Sequence, residues 1–407
     1  MSKKNVAFTI CAKNYMAQAL TLKESFEKYN DETDFFIFLS DKIDNEKLPK
    51  VIPLDNSWIP EWEKMAFKYD VIEFSTSIKP FCIDLLFSKE YEKVIYLDPD
   101  ICVFSTLETI YEKLDNNSII LTPHHCELIE NYNGPIADNA VSNVGIYNLG
   151  FIAIKNNIIG QSVVNWWKKR LSDSCYISYE EGLFVDQKWM DFIPGFFPKE
   201  VLISRNLGLN VALWNIQERT VYKKDDTYYV KSTINQGRED KLLFYHFSGF
   251  NPETPHLIDK RNNMYTSVLY PEMKELLEYY AKREFANGYK KYHKMKYSFN
   301  NFSDGTPILS IHRRMYRLNE EKLSKFTNLF ETDDDMYNLL KRNHLLSKTK
   351  RGEFNNQKIS DKSKIRTYIS RLMLLLLRIL GINTYSKFLK FCKYVGKIEN
   401  INYIYKI

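Results

Sequence analysis

The apolar positions begin as unbroken runs and end in helical spacing. Residues 5–12 (NVAFTICA) are almost wholly apolar, as a strand covered on both faces requires. Over 16–29 the side chains Ala19, Leu20, Leu22 and Phe26 recur at helical spacing, and 34–39 (DFFIFL) is apolar again until Ser40 and Asp41 close it. This β-α-β opening predicts a parallel sheet with both faces covered. Ligands of such sheets sit beyond the carboxyl ends of the strands. Residues 80–87 predict a helix, and 93–97 (KVIYL) a strand ending at Asp98. Short strands follow at 119–121 and 151–154, an amphipathic helix at 161–171, and strands at 201–203, 211–213 and 242–245.

The strand pattern stops near 255, and helical spacing takes over at 272–285, 311–318 and 336–346. Residues 348–364 are polar and lack a period. Residues 365–380 form a basic, leucine-rich helix stopped at Gly381, with a second candidate helix at 386–395. The expected organisation is an α/β body over 1–260, a helical extension over 261–347, a linker over 348–364 and a basic amphipathic tail over 365–407. Repeats and low-complexity tracts are absent from the sequence.

Composition changes this picture in two places. Aromatics make up 15% of the 407 residues, and most sit inside apolar runs, so they read first as core and second as stacking platforms. The net charge of +6 is uneven: residues 341–407 hold 16 Lys or Arg against three acids, which leaves the body net negative. In the tail, Arg366, Arg371, Arg378, Lys387, Lys390 and Lys393 interleave with Leu, Ile and Phe. That pattern suits an anionic membrane surface, or else a helix packed on the body with a solvated basic face. No nucleic-acid reading motif accompanies the charge, so nucleic acid is not an expected partner. The longest leucine run, 372–377, ends at Arg378 and falls short of the ~20 residues a spanning helix needs. The start runs directly into a strand, so a leader peptide is not expected. Six cysteines without a C-x-x-C spacing read as buried thiols of a reducing compartment. The expected location is cytoplasmic, with the tail peripheral on the inner face of the membrane.

The strongest chemical signal is the segment 93–103 (KVIYLDPDICV). An apolar strand delivers Asp98 and Asp100 into the turn at its carboxyl end. Two hard oxygen ligands at that spacing suit Mn²⁺ or Mg²⁺, with open positions left for a diphosphate. Read alone, Asn148 fits a turn cap beside Gly150, Asp186 fits a helix cap as well as a catalytic acid, and His246 fits a core histidine. A cation between the two aspartates needs further partners, which favours His246 as a ligand.

Together these segments resemble the GT-A glycosyltransferases, most of all the family-8 type that includes glycogenin and bacterial lipopolysaccharide glucosyl- and galactosyltransferases. YLDPDICV resembles the YLDxD motif of that group. Residues 147–151 (YNLGF) resemble FNxG, 185–187 (VDQ) the DQ segment, and 246–249 (HFSG) HxxG, in the family's order. The resemblance implies a GT-A α/β fold with a mixed sheet and a C-terminal helical extension. It implies metal ligation by Asp98, Asp100 and His246, and catalytic roles at the donor sugar for Asn148, Asp186 and Gln187. Donor-binding positions implied are Ala12 and Asp41 at the first strand ends, Lys79, Asp98, Asn148, Gly150 and Gly249. Where the family continues HxxGxxKP, this chain has Pro252 in the lysine's place. Lys260 and Arg261 are the substitutes expected to clamp phosphate. The cluster Asn210, Trp214, Asn215 and Arg219 is expected to touch donor or acceptor, and His124 and His125 either line the cleft or form a turn.

The function these readings imply is metal-dependent transfer of a hexose from a nucleotide-sugar, a UDP-sugar first, to a glycan or glycolipid acceptor such as lipopolysaccharide or capsule, with retention at the anomeric carbon. Beside it stand a nucleotidyltransferase, for which an evident Gly- and Lys-rich phosphate loop is missing, and two further rival readings. One is a phosphohydrolase, whose Asp-x-Asp motif usually continues to Thr where Cys102 stands. The other is a non-catalytic sugar-binding relative with a relic site.

Overall fold

A computed structural model describes residues 4–43, 48–130, 134–347 and 363–397. The expected β-α-β opening is present: β1 (Asn5–Cys11), α1 (Met16–Tyr29) and β2 (Asp34–Leu39), followed by a short β3 (Val51–Pro53). Helix α2 (Lys79–Ser88) leads into β4 (Lys93–Leu97), then β5 (Ile101–Val103), α3 (Glu108–Asn116) and β6 (Ile119–Leu121). After these come β7 (Phe151–Lys155), α4 (Ile158–Ser174), α5 (Gln187–Met190), β8 (Val201–Ile203) and β9 (Phe244–His246).

The architecture is α/β around a seven-stranded mixed sheet of order β8-β6-β7-β4-β1-β2-β3. Strand β7 runs antiparallel to both of its neighbours, β4 and β6, while the other pairs are parallel. Ala7, Ile37, Ile95 and Ala153 point to one face, where they pack with Leu22 and Phe26 of α1 and Ile110 and Leu114 of α3. Phe8 and Tyr96 point the other way, their rings 5.1 Å apart. Both faces are buried, which is why these strands read as continuous apolar runs rather than alternating ones.

Two short strands matter more for chemistry than their size suggests. β5 and β9 pair antiparallel, with His246 opposite Ile101. Strand β5 follows Asp100 directly, so the pairing brings His246 to the turn after β4. The expected strand at 211–213 is reduced to a single bridge, Val211 to Tyr245, followed by a tight helical turn at Leu213–Asn215. A three-stranded sheet of Arg219–Lys224, Thr227–Ser232 and Glu239–Lys241 went unforeseen, because its strands are half polar.

The boundaries expected at 260 and 347 differ from the compact units of the structure. The first unit is Met1–Met65 with Val71–Ser298, and the second is Ala66–Asp70 with Phe299–Ile407. Helix α6 (Lys274–Ala286) belongs to the first unit, because Leu276, Leu277 and Tyr280 are buried against Tyr245, Phe247 and Phe250. The Phe247 and Tyr280 rings stack 3.7 Å apart. In the second unit, α7 (Ser310–Leu318) buries Arg313, whose guanidinium donates to the carbonyls of Ala66, Phe67, Tyr69 and Phe299. That fan of bonds draws a five-residue segment of the body's sequence into the second unit. The unit also contains α8 (Asp335–Arg342) and the long α9 (Ser363–Val395).

Most of the proposed linker, 348–362, and the last ten tail residues lie outside the described residues, as does the side chain of Arg366. Helix lies on both sides of Gly381, as expected, and the backbone of Gly381 itself is non-helical, with φ 68° and ψ 160°. The combined length of the two segments corrects the expectation from the leucine run: Thr367–Val395 spans 29 residues and holds an 18-residue window of mean hydropathy 1.4, enough to cross a membrane by length and composition. Ile369, Leu372, Leu375, Ile379 and Phe391 are exposed, so this helix is not a core element. Cys392 lies exposed on it and Cys126 is half-buried, against the expectation that all six thiols are buried.

Candidate functional site

The site forms where β4 ends. The amide of Asp98 donates to Gly150 O at 2.8 Å and that of Phe247 to Asp100 O at 2.8 Å, so backbone bonds tie the Asp98–Asp100 turn to β7 and β9. As a result Asp98, Asp100 and His246 offer ligand atoms all within 4.8 Å of one another. His246 Nε2 lies 3.1 Å from Asp100 Oδ1 and 3.7 Å from Asp98 Oδ2. Burial alone would keep the imidazole neutral, but the adjacent carboxylates outweigh it and raise its pKa. Burial likewise works to raise Asp100, and the pull of His246 outweighs it, leaving its carboxyl below the usual range. Two carboxylate oxygens and one imidazole nitrogen also match the donor chemistry of Mn²⁺ or Mg²⁺ with positions left open.

A cleft of about 200 Å³ opens on this cluster, lined by Cys11, Ala12, Asn14, Tyr15, Ser75 and Thr76 as well as Asp98 and Asp100. Ala12, at the end of β1, lines this cleft. A larger groove beside Trp58 and Lys168 contains none of the cluster.

Several expected residues are present but engaged elsewhere. Lys79 is buried beneath the cluster, where its ammonium pairs with Asp186, donates to Leu149 O at 2.8 Å and sits 4.1 Å from the Tyr96 ring centre. Burial raises the Asp186 carboxyl in spite of this partner. The Asp186 side chain caps no helix, since it makes no bond to the start of α5. Gln187 accepts from Leu149 N at 3.0 Å and donates to Val144 O at 2.9 Å, fixing the loop that carries Asn148.

Asp41 does not point an open carboxylate at the cleft. It is buried and accepts from the amides of Lys13, Lys42 and Ser298. Asn215 is fully buried, accepting from Ala212 N and donating to Asn210 O. Arg219 is buried too, donating to the carbonyls of Leu207 and Leu209 and ion-paired with Glu218. These three are structural braces.

Arg261 clamps Asp259 with Nε and Nη2, at 2.9 and 2.6 Å to Oδ2, while its side chain stays 60% exposed. It is close enough to Asp100 to feel its charge. Gly249 makes room for this pair: at φ 77°, a Cβ there would lie 2.4 Å from Asp259 Oδ1. Of the two histidines after β6, His125 pairs with Asp138 at 3.1 Å, while His124 is buried and accepts from Asn148 Nδ2 at 3.2 Å.

Sequence reasoning passed over Tyr96 and did not single out Asn210 within its cluster. Tyr96 donates its hydroxyl to Asp98 Oδ1 at 2.6 Å, and the signal was available: two residues earlier on a strand is the same face. Asn210 takes His246 Nδ1 at 3.3 Å, and Trp214 stands edge-on to the His246 ring at 5.0 Å.

No family model matches the sequence. The chain is similar to two Bacillus subtilis (strain 168) proteins: the uncharacterized protein YfnF, 28% identical over 60% of this chain and 80% of that one, and YfnD, 25% identical over 60% and 76%. The solved structures it is similar to are glycosyltransferases. The galactosyltransferase LgtC aligns over 69% of this chain and 95% of its own at 13% identity and a TM-score of 0.39. The bifunctional glycosyltransferase WbbM aligns over 72% and 52% at 15% identity and a TM-score of 0.41. Mouse xyloside xylosyltransferase 1 aligns over 60% and 97% at 15% identity and a TM-score of 0.35.

Proposed function

We propose that the chain is a metal-dependent glycosyltransferase moving a hexose from a nucleotide-sugar to a glycan or glycolipid acceptor. The observation that carries this reading is the Asp98–Asp100–His246 cluster at the floor of a cleft beyond the strand ends. A Mn²⁺ or Mg²⁺ ion held by these three side chains would offset the charge of a donor diphosphate as it departs. The rest falls to the protein. The β1 end, with Ala12, offers space for the base and ribose of a UDP-sugar. Arg261, exposed and next to the cluster, supplies a cation to the diphosphate in place of the lysine displaced by Pro252. Asn148, Asp186 and Gln187 form the wall of the sugar subsite with Gly150.

Asp186 bears on the stereochemistry. It is only 2% exposed and already paired with Lys79, so it is poorly placed to take a proton from an acceptor hydroxyl. Asp191, the other carboxylate that could serve an inverting mechanism as base, accepts from Ile146 N and pairs with Lys188, so retention is favoured, with the leaving phosphate receiving the acceptor proton. The Asp186 carboxylate then acts by its charge on the oxocarbenium-like centre.

The tail extends the proposal. Residues 363–397 contain Lys364, Arg366, Arg371, Arg378, Lys387, Lys390, Lys393 and Lys397 and no acid. Arg378 and the non-helical Gly381 both fall in the apolar middle of this segment, between Arg371 and Lys387. A spanning helix gathers its charge at its flanks, and an interfacial one distributes it. The reading is a helix lying on the anionic inner face of the cytoplasmic membrane, close to a lipid-linked or lipopolysaccharide-type acceptor.

The test is a panel of nucleotide-sugars incubated with the purified chain and Mn²⁺, following release of nucleoside diphosphate. Release from one donor, abolished by chelator and by Asp100→Ala, supports the reading. Full activity of Asp100→Ala, or no release from any donor even with membrane extract as acceptor, would sink it. Flotation with vesicles of anionic against neutral lipid tests the tail separately.

A further inference from the structure

The proposed metal ligand His246 can present only one nitrogen to a cation, and which one is decided by bonds on the far side of its ring. We propose that Asn210 is a positioning residue that holds His246 in the tautomer and orientation needed for ligation through Nε2. This inference rests on the metal-site reading above.

A backbone amide, whose polarity is fixed, sets the direction of the whole network. The amide of Gly150 donates to Asn148 Oδ1 at 3.1 Å, so that oxygen is an acceptor. Asn210 bonds the same oxygen at 3.0 Å and must do so through its NH₂ group, which also reaches Thr122 Oγ1 at 3.0 Å. Asn210 Oδ1 is thereby turned to His246 Nδ1, at 3.3 Å. A carbonyl oxygen only accepts, so Nδ1 must carry the hydrogen, and Nε2 is left facing Asp98 and Asp100.

The other end of the chain closes in the same sense. Asn148 Nδ2 donates to His124 Nε2 at 3.2 Å, and His124 Nδ1 lies 3.2 Å from Ile146 O. His124 is thus a neutral imidazole donating from Nδ1, and its burial, which pushes its pKa down to about 4, agrees.

Every member is buried: His246 4% exposed, Asn210 1%, Asn148 8% and His124 4%. The backbone of Asn210 is itself unusual, with φ +54°. Asparagine tolerates that conformation better than most residues. Asn215, fully buried, secures it by donating to Asn210 O at 3.0 Å. The ring of His246 is boxed in by Gly150, where a Cβ would approach Cε1 to 2.4 Å, and by Trp214. Partners of this kind typically change metal affinity by ~10–100-fold when removed.

Two substitutions separate positioning from mere support. Asn210→Gly keeps the positive φ and removes the side chain. Asn210→Asp keeps an acceptor for His246 Nδ1 and loses both donors, to Asn148 and to Thr122. The probe is Mn²⁺ alone, titrated calorimetrically into the full chain, with electron spin-echo modulation reporting whether a nitrogen is bound to Mn²⁺. The expected result is that Asn210→Gly weakens Mn²⁺ binding ~10–100-fold and loses the nitrogen modulation. Asn210→Asp is expected to keep the modulation and bind within about threefold of the unaltered chain. Unchanged binding and modulation in Asn210→Gly would overturn the proposal. So would an Asn210→Asp variant as impaired as the glycine, since the side chain would then matter for its donors. If Asn210→Gly does not fold, as judged by circular dichroism, the aspartate variant decides alone. Absence of Mn²⁺ binding in the unaltered chain is a separate result that defeats the metal-site reading itself, and this inference with it.

Discussion

The Lys79–Asp186 pair gives the most quantitative prediction. Both side chains are almost fully buried, at 1% and 3% exposure, and Lys79 has two further partners in Leu149 O and the Tyr96 ring. Lys79→Met preserves length and apolar stem but leaves a carboxylate in a dry site without its cation. Breaking a buried pair from one side costs ~3–5 kcal/mol. Replacing both partners with apolar residues avoids the stranded charge, so Lys79→Met/Asp186→Leu is expected to recover most of that loss.

The loss also depends on pH. In the unfolded single variant Asp186 gives up its proton near its ordinary value, whereas the folded form holds it to higher pH because burial is no longer opposed by Lys79. Between those two values the folded state binds more protons, so stability falls as pH rises. The deficit of Lys79→Met should therefore shrink on going from pH 7 toward pH 4. Urea unfolding followed by tryptophan fluorescence is the assay. All six tryptophans lie in the first compact unit, so the signal reports that unit alone. Trp167 Nε1 donates to Asp186 O at 3.3 Å and reads the site directly. A single-variant loss below ~1 kcal/mol, or a double variant less stable than the single, would refute the reasoning.

Three further outcomes follow from the same geometry. Gly150→Ala forces a methyl against the His246 ring at 2.4 Å, so it should cost ~1–3 kcal/mol in urea unfolding and weaken Mn²⁺ binding measured by calorimetry. Mn²⁺ must displace the proton that Asp100 and Asp98 hold on His246 against its burial. Binding should therefore release a proton and weaken as pH falls below the raised pKa, which calorimetry in buffers of differing ionisation enthalpy detects and a pH-independent affinity over 6–8 contradicts. Glu284 is pushed up to about 8 by burial, so the folded chain keeps a proton that the unfolded chain gives up near 4.5, and stability is lost as pH rises between these values. Glu284→Gln removes that slope, and in chelator its advantage over the unaltered chain should grow from pH 5 to pH 8, whereas a constant difference would contradict the assignment.

The sequence by itself determined the β-α-β opening, the strand 93–97 and the delivery of Asp98 and Asp100 at its end. These are local facts, carried by apolar runs long enough to be buried and by two acids placed where the run stops. The tail was legible for the same reason: Gly381 reads as a stop with a helix on either side, and its backbone is non-helical there. What the tertiary structure alone decided is who touches whom. His246 is 146 residues from Asp100, and only the pairing of β9 with β5 brings them together. Sequence spacing likewise could not tell that Asp41, Asn215 and Arg219 are spent on backbone groups. A polar side chain looks the same in a string of letters whether its partner is a ligand or an amide, and the partner is supplied by the fold. Lys79 and Asp186 show this most plainly, since 107 positions separate two charges that can be buried only because each has the other.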